Sequence, residues 1–431
     1  MGKAIQWKAR HTILAILFIT STVSFVDRIA ISIAIPYIAA DYRLSPLAMG
    51  VLMSIFFAGY SITQIPGGLL ADMFGVRRVA TIAMLWWSAF TAITGMAANV
   101  TQMVVVRFLF GLGEGMFPGC AYKTIAVWFP KRERATATAI MIASNSFGAA
   151  LAPLAVVGIV LLWGWRTVFY SLILPGILMA IIFWTFIPNK PSESHLISPE
   201  ELVEIEEEQV TGASDSATKI SLLKVLGEPT ILKCFFVLFT FDIALWGFTT
   251  WLPTYLVKAR GFSTAQMGFA ATLPFLAGAA GCILGGVVSD RYFSMNRKML
   301  VIASQLISAL LLGLTFMAWT VPIFVIAETL AGGFIMFALS AVWALPMSIV
   351  PKQFMGVTGG FINIAGQIAA FISPIVIGGL VGAQGGNFSH AFMFLAASLL
   401  ISSVIVSTLP SRLRYSQEDN VSLDTIDPHR T

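Results

Sequence analysis

"GLLADMFGVRR" (Gly68–Arg78) and "GVVSDRYFSMNRK" (Gly286–Lys298) each close an apolar run with the same order of chemistry: small residues, one aspartate, then bases. Their aspartates, Asp72 and Asp290, stand 290 − 72 = 218 positions apart. The same offset, 363 − 145 = 218, separates Asn145 from Asn363, each followed three residues on by glycine, although the Pro130 and Pro351 loops match better at 351 − 130 = 221. Two matches in equivalent places point to an internal repeat of the kind found in multi-helix membrane proteins.

Composition agrees. The 431 residues are 57% hydrophobic and 11% charged, far too apolar for a soluble globular domain, whose charged share is near a quarter. Runs long enough to cross a ~30 Å hydrocarbon core as helices recur throughout. Twelve are expected, starting near Thr12, Leu47, Val79, Thr101, Ala135, Val168, Ile231, Gln266, Met299, Pro322, Val357 and Ala391. The first run is full length with no small-residue cleavage site behind it, so it is expected to stay as the first span rather than leave as a signal peptide. Cys120, Cys234 and Cys282 are scattered without metal spacing, so they read as packing residues, with no disulfide or zinc site.

Basic residues set the orientation. Lys3, Lys8, Arg10, Arg77, Arg78, Lys131, Arg132, Arg134, Arg291, Arg297, Lys298, Lys352, Arg412 and Arg414 fall on one side, against Arg43, Arg166, Lys258 and Arg260 on the other. Both termini are therefore expected in the cytoplasm, and this placement explains the net charge of +5 without a nucleic-acid partner. The acidic stretch "SPEELVEIEEEQVTGASDSATK" (Ser198–Lys219) marks a linker, with a short helix from Pro199 to about Gln209 capped by Ser198. The expected organisation is a six-helix bundle over 1–187, a cytoplasmic linker over 188–230, a second six-helix bundle over 231–410 and a cytoplasmic tail over 411–431.

Charges deep in these runs are few: Asp27 and Arg28 in the first span, Arg107 and Glu114 in the fourth, Asp242 in the seventh and Glu328 in the tenth. If each half is two three-helix repeats, these are the first helices of the repeats. Each such charge costs roughly 2.5–3.5 kcal/mol to insert, so together they read as a polar pathway rather than as stabilising pairs. Arg107 and Glu114, seven residues apart, share a helix face; the adjacent Asp27 and Arg28 lie about 100° apart and cannot both point the same way. Four acids against two bases leave a net −2 if all ionise, so some carboxyls hold protons part of the time. Arginine's planar fork, always charged, suits binding a carboxylate.

On "GLLADMFGVRR" the chain resembles the major facilitator superfamily, whose signature sets glycine, aspartate, glycine and bases in the loop after the second span. That resemblance implies an all-α integral membrane protein with the major facilitator fold, twelve transmembrane helices in two pseudo-symmetric six-helix halves. It makes Gly68, Asp72, Gly75, Arg77, Arg78 and Asp290 gating machinery, the small residues allowing close helix approach and Asp72 capping a helix or pairing with a base. The second copy lacks the central glycine.

"FVDRIAISIA", "YSITQIPGGLLAD", "RFLFGLGEGMFPG", "WFPKRERA", "LWGFTTWLPTYL" and "GVTGGFINIAG" resemble, more narrowly, the anion:cation symporter family of sugar-acid carriers, over nearly the whole chain. By that resemblance Asp27 and Glu114 are the proton-coupling sites, Arg28 and Arg107 serve the anion, and Tyr60, Gln64, Asn145, Trp343 and Asn363 line the pocket. The implied activity is proton-coupled uptake of a small organic anion, most simply an aldonate, uronate or aldarate, with aromatic acids and sulfonates as alternatives. Asn145 replaces a glutamine of the galactonate carrier, and Asp242 and Glu328 stand where that carrier is apolar. With Trp246, they are candidates for extra coupling or substrate contacts.

An enzyme is not expected: His11, His195, His390 and His429 sit in tails, loops or span ends, and no nucleophile elbow or zincin motif occurs. A proton-driven efflux antiporter is the competing class, since it shares the fold; "SFGAALAPLAVVG" (Ser146–Gly158) keeps only part of its fifth-span signature. A transport-inactive sensor is a weaker third. The proton gradient replaces any cofactor or metal, the partners expected are anion, protons and lipid, and the expected setting is a monomer in a bacterial inner membrane.

Overall fold

A computed structural model describes residues 7–210, 227–293, 296–350 and 355–409. Linker residues 211–226, the 411–431 tail, Lys3, Pro351, Lys352, Arg412 and Arg414 lie outside the described residues. The helices are α1 (Ala9–Tyr42), α2 (Pro46–Phe74), α3 (Val76–Met96), α4 (Val100–Glu114), α5 (Phe117–Trp128), α6 (Lys131–Trp163), α7 (Trp165–Ser171), α8 (Ile173–Phe186), α9 (Pro199–Val210), α10 (Pro229–Lys258), α11 (Thr264–Arg291), α12 (Arg297–Met317), α13 (Val321–Ile349), α14 (Met355–Ala383) and α15 (Ser389–Ser407). Among the described residues they supply twelve spans apolar and long enough to cross a membrane, α4 with α5 making the fourth and α7 with α8 the sixth.

Each span begins one to four residues before the expected start. Polar and basic end residues continue the helix past the apolar run, as where Ser45 caps α2 through the Ala48 N–H. Two spans are broken, which the apolar pattern did not reveal. Pro118 has no N–H to donate to the Glu114 carbonyl, and Pro175 none for Ser171; α4 and α7 end at those two residues.

The described residues form two compact units: 7–210 with 246–279 and 370–391, and 227–245 with 280–293, 296–350, 355–369 and 392–409. In the first, α1 packs on α6, α2 on α4 and α5, and α3 on α8. Lipid removes most of the hydrophobic drive between helices, so close packing over small residues replaces it. A Cβ at Gly59 would lie 2.2 Å from the Phe108 carbonyl oxygen, and one at Gly111 2.3 Å from that of Phe56. The glycines let α2 and α4 touch backbone to backbone. Trp87, Trp128, Phe56, Phe110 and Phe183 belong to the buried apolar core of this unit. In the second unit α12 packs on α13, and a buried polar clamp adds to it: Gln305 Nε2 donates to Ser402 Oγ (2.9 Å), Ser403 Oγ to Gln305 Oε1 (2.9 Å), and Ser402 Oγ to the Val237 carbonyl (3.0 Å).

The linker helix α9 starts as read, with Ser198 Oγ accepting from the Glu201 N–H. It docks on the start of α1. Glu201 accepts from the Ala9 and Arg10 N–H groups at 2.9 and 3.0 Å, filling orphan donors of that helix end, and Ile205 is fully buried beneath. Glu204 meets Lys8 Nζ (2.6 Å), Arg10 Nη1 (3.0 Å) and Arg132. Hydrogen bonds from Arg10, then Lys8, hold its carboxyl down at about 2 from an ordinary 4.5. A depressed acid stabilises the docked state above its unfolded value and loses that contribution as pH falls toward the folded one. The melting-temperature gap between wild type and Glu204→Gln is therefore expected to hold steady from neutral pH to about 5 and to close toward about 2, read by thermal unfolding in detergent.

Candidate functional site

The site starts from the break in the fourth span. Glu114 is the last residue of α4 and the midpoint of Val100–Trp128. Beyond it the chain turns through a shorter bond, Met116 N–H to the Gly113 carbonyl at 3.3 Å, before Pro118 enters the first turn of α5. Gly111, Gly115 and Gly119 follow at four-residue spacing on one face. A Cβ at Gly115 would stand 2.3 Å from the Tyr60 carbonyl oxygen, and one at Gly119 2.8 Å from Gly68 Cα. This ladder presses α2 against the broken helix and sets the Phe56 and Tyr60 rings beside its charges.

Four of the six deep charges gather there. Arg28 Nη2 binds Glu114 Oε1 at 3.0 Å, and Ser24 Oγ donates to the same oxygen. Glu114 is 1% exposed and its second oxygen, Oε2, meets no protein donor. The Arg28 guanidinium lies over Tyr60 (4.8 Å), Phe56 (5.1 Å) and Phe25 (5.2 Å). Arg107, fully buried, has no protein acceptor for any of its three nitrogens; its guanidinium lies 4.3 Å from the Phe110 ring centre and 5.7 Å from that of Phe56. Asp27 is also fully buried, with neither oxygen hydrogen-bonded, and lies within electrostatic range of Glu114 and Arg107. Of the adjacent pair, Arg28 takes the partner and Asp27 stays buried without one.

Such an arrangement can do two things. Five buried N–H donors on a permanent cation demand an acceptor, which a carboxylate supplies bidentately. Glu114 can also give up Arg28 by taking a proton, which frees a second guanidinium. Ring faces around both arginines favour the cations while excluding competing water.

The remaining expected residues are spread more widely. Tyr60 is buried under Arg28, whereas Gln64 and Asn145 are half-buried on α2 and α6 without a hydrogen bond to the arginines. Trp246 joins the same aromatic group, its ring 4.7 Å from Phe57, itself 5.0 Å from Phe56. In the second unit Trp343 sits among Cys234, Leu238, Leu345 and Ile362, Asn363 is half-buried on α14, Glu328 is fully buried on α13, and Asp242 is 6% exposed on α10. Among the described residues no three histidines, cysteines or acids group as a metal site. Cys120 and Cys234 are buried, and Cys282 lies 3.2 Å from Ser340 Oγ.

The signature residues hold loops and helix ends. Asp72 pairs with Lys123 Nζ at 2.7 Å, and that ammonium also donates to the Ala71 carbonyl. Gly75 has φ +84, and a Cβ there would strike the Asn189 amide. Arg77 donates through its N–H to Asn189 Oδ1 (3.1 Å) and stacks on Trp184 (4.5 Å), while Arg78 is exposed. Gly68 has open space on its Cβ side; the close approach falls instead at Gly67, where a Cβ would lie 2.4 Å from Met116 Cα. In the second copy Asp290 pairs with Arg297 (2.9 Å), which also donates to the Ala344 carbonyl.

Sequence reasoning missed Ser24, Phe25, Phe56 and Phe110. The four-residue glycine spacing in "GLGEGMFPG" was the signal that could have located the α2 contact, and its proline the break at Glu114.

Comparison with known proteins identifies the family and the fold. The family model described as the Major Facilitator Superfamily matches residues 17–374. The chain is 28% identical over 407 residues to the hexuronate transporter of Bacillus subtilis (strain 168), covering 93% of this chain and 94% of that one. It is 31% identical over 418 residues to the probable galactarate/D-glucarate transporter of Escherichia coli (strain K12), covering 92% and 93%. Among solved structures, that of a D-xylose–proton symporter superposes with a TM-score of 0.74 at 18% identity, covering 93% of this chain and 98% of that one, a likeness of fold.

Proposed function

This chain belongs to the major facilitator superfamily, and we propose that it is a proton-coupled symporter that brings a sugar acid, an aldonate, uronate or aldarate, into the cell. It is a multi-pass membrane transporter of organic anions and not an enzyme. The observation that carries the finer reading is the buried Arg107 guanidinium without a protein acceptor, beside an Arg28–Glu114 pair that a proton can open.

In this reading the substrate carboxylate takes Arg107, and a proton on Glu114 releases Arg28 to the same anion. Either charge alone would be costly in a low-dielectric site, and loading both leaves the site near neutral. Asp27 is the second proton-coupling carboxyl. Tyr60, Gln64 and Asn145 serve the substrate's hydroxyls, and Trp343 and Asn363 keep the contact role that the family resemblance gives them. Asp72–Lys123 and Asp290–Arg297 act in gating. The basic-residue distribution supports both termini in the cytoplasm, and the short loops a bacterial inner membrane. Two six-helix halves, 1–187 and 231–410, joined by the 188–230 linker and followed by the 411–431 tail, complete the proposal, with the monomer as the working unit.

The test is counterflow in proteoliposomes preloaded with unlabelled anion, against a panel of labelled aldonates, uronates, aldarates, aromatic acids and sulfonates. Accumulation of one sugar acid, competed by its congeners, is expected. Exchange confined to aromatic acids or sulfonates would overturn the substrate class, and exchange of none of them would overturn the reading.

A further inference from the structure

Asp242 is a buried acid that the arginine site does not use. It lies near the middle of the thirty-residue helix α10, where insertion of a charge costs most. The residue is 6% exposed and its Oδ1 has no hydrogen-bond partner. The facing helix leaves it room: a Cβ at Gly366 of α14 would lie 2.2 Å from Asp242 Oδ2, so any side chain there would displace the carboxyl.

Among the described residues of its own unit, the helices packed around it supply no base. Around this level α10 is packed by α13 (Val342, Trp343 and Leu345 against Val237 and Leu238), by α14 (Gly366, and Phe361 on Phe235) and by α15 (Ser402 on the Val237 carbonyl). Across those three helices the charged or titratable side chains are Glu328 on α13 and His390 in the first turn of α15. Glu328 lies 342 − 328 = 14 residues, about 21 Å at ~1.5 Å per residue, before Val342, and Asp242 lies 242 − 238 = 4 residues, about 6 Å, past Leu238 on the oppositely running α10, which leaves the two acids about 15 Å apart along the axis. His390 precedes Ser402 by twelve residues. On α10 itself, Lys233 lies nine residues back, with its ammonium on the Thr408 carbonyl, and Cys234 is buried one residue further on.

The internal repeat gives the position a meaning. At the 218-residue offset of Asp72 and Asp290, Asp242 corresponds to 242 − 218 = 24, and Gly366 to Gly148. Ser24 is the residue that donates to Glu114, and Gly148 is the glycine that lets α6 close on α1 at Thr22. The second half thus repeats the helix contact, with a carboxyl in place of the hydroxyl.

Resting on the symport reading above, we propose that Asp242 is a further binding site for the transported cation and that this cation is a proton. A carboxylate in this apolar notch needs a counter-charge that no described base on the helices packed around it in its own unit provides. A metal ion needs several oxygen ligands, whereas a proton needs one. Gly366 holds open the space in which the carboxyl gains and loses it.

The test measures proton and anion fluxes together, with a pH probe and labelled anion in the same proteoliposomes, for wild type, Asp242→Asn, Asp242→Glu and Gly366→Ala. Asp242→Asn is expected to keep anion uptake while carrying one fewer proton per anion; Asp242→Glu keeps the wild-type ratio, and Gly366→Ala moves toward the Asn value. An unchanged ratio in Asp242→Asn overturns the proposal and leaves symport standing. Coupling to sodium, seen as a ratio that follows the sodium gradient, also overturns it. Wild-type uptake without protons overturns both readings. Should Asp242→Asn not fold, dicyclohexylcarbodiimide labelling of wild type is read by peptide mass: a pH-dependent adduct on Asp242, lowered by the anion, is expected, and no adduct at any pH overturns the assignment.

Discussion

Arg107→Ala is expected to lower anion exchange by about a hundredfold or more while leaving the protein folded. Truncating one side of a buried charge-assisted contact costs about 2–5 kcal/mol, and each 1.4 kcal/mol is a factor of ten. The structure separates the two consequences. Arg107 has no protein acceptor, so removing it strands no hydrogen-bond partner; what is lost is the ring contacts to Phe110 and Phe56 and the electrostatic attraction to Glu114 and Asp27. The melting temperature should stay close to wild type as counterflow collapses. Arg107→Lys keeps the charge but loses the planar fork, so it should recover only part of the exchange. Loss of folding in parallel with transport would make Arg107 a structural residue and remove the anion site.

Glu114→Gln is expected to lower anion-triggered proton entry sharply, by the proton that Glu114 carries, and to retain exchange of labelled for unlabelled anion. Glutamine resembles the protonated acid: it can still accept from Ser24 but no longer forms an ion pair with Arg28. Arg28 is then permanently released, which uncouples anion loading from protonation. Asp27→Asn should show the same split, since both its oxygens are buried without donors and a neutral amide substitutes for the protonated form. The readout is a pH probe beside counterflow in the same vesicles. Undiminished proton entry in both variants would move coupling elsewhere in the chain.

Most of the fold was legible in the sequence because the bilayer imposes length and composition on each span. The spans begin a few residues early since Lys131, Arg297 and similar end residues keep helical backbone after the apolar stretch has stopped. The deep charges were legible for the same reason, each being an expensive exception among apolar neighbours. Which of them meet was not. Shared helix phase placed Arg107 and Glu114 on one face, but Glu114 pairs across to Arg28 at the break that Pro118 and Gly115 introduce. The aromatic floor beneath the arginines depends on α2 reaching α4 at Gly59, Gly111 and Gly115, a contact between segments about fifty residues apart that periodicity within one segment cannot report. The docking of α9 was hidden likewise: the acidic run reads as a solvated face until Glu201 and Glu204 find the start of α1.

Proton entry on addition of the anion tests the central claim most directly. Proteoliposomes with an internal pH probe receive the sugar acid that counterflow selects, with no imposed gradient. The account predicts acidification of the lumen that begins with the anion, saturates with it and is sharply diminished in Glu114→Gln. Anion accumulation with no change in internal pH, or exit of a preloaded compound as protons enter, would contradict it.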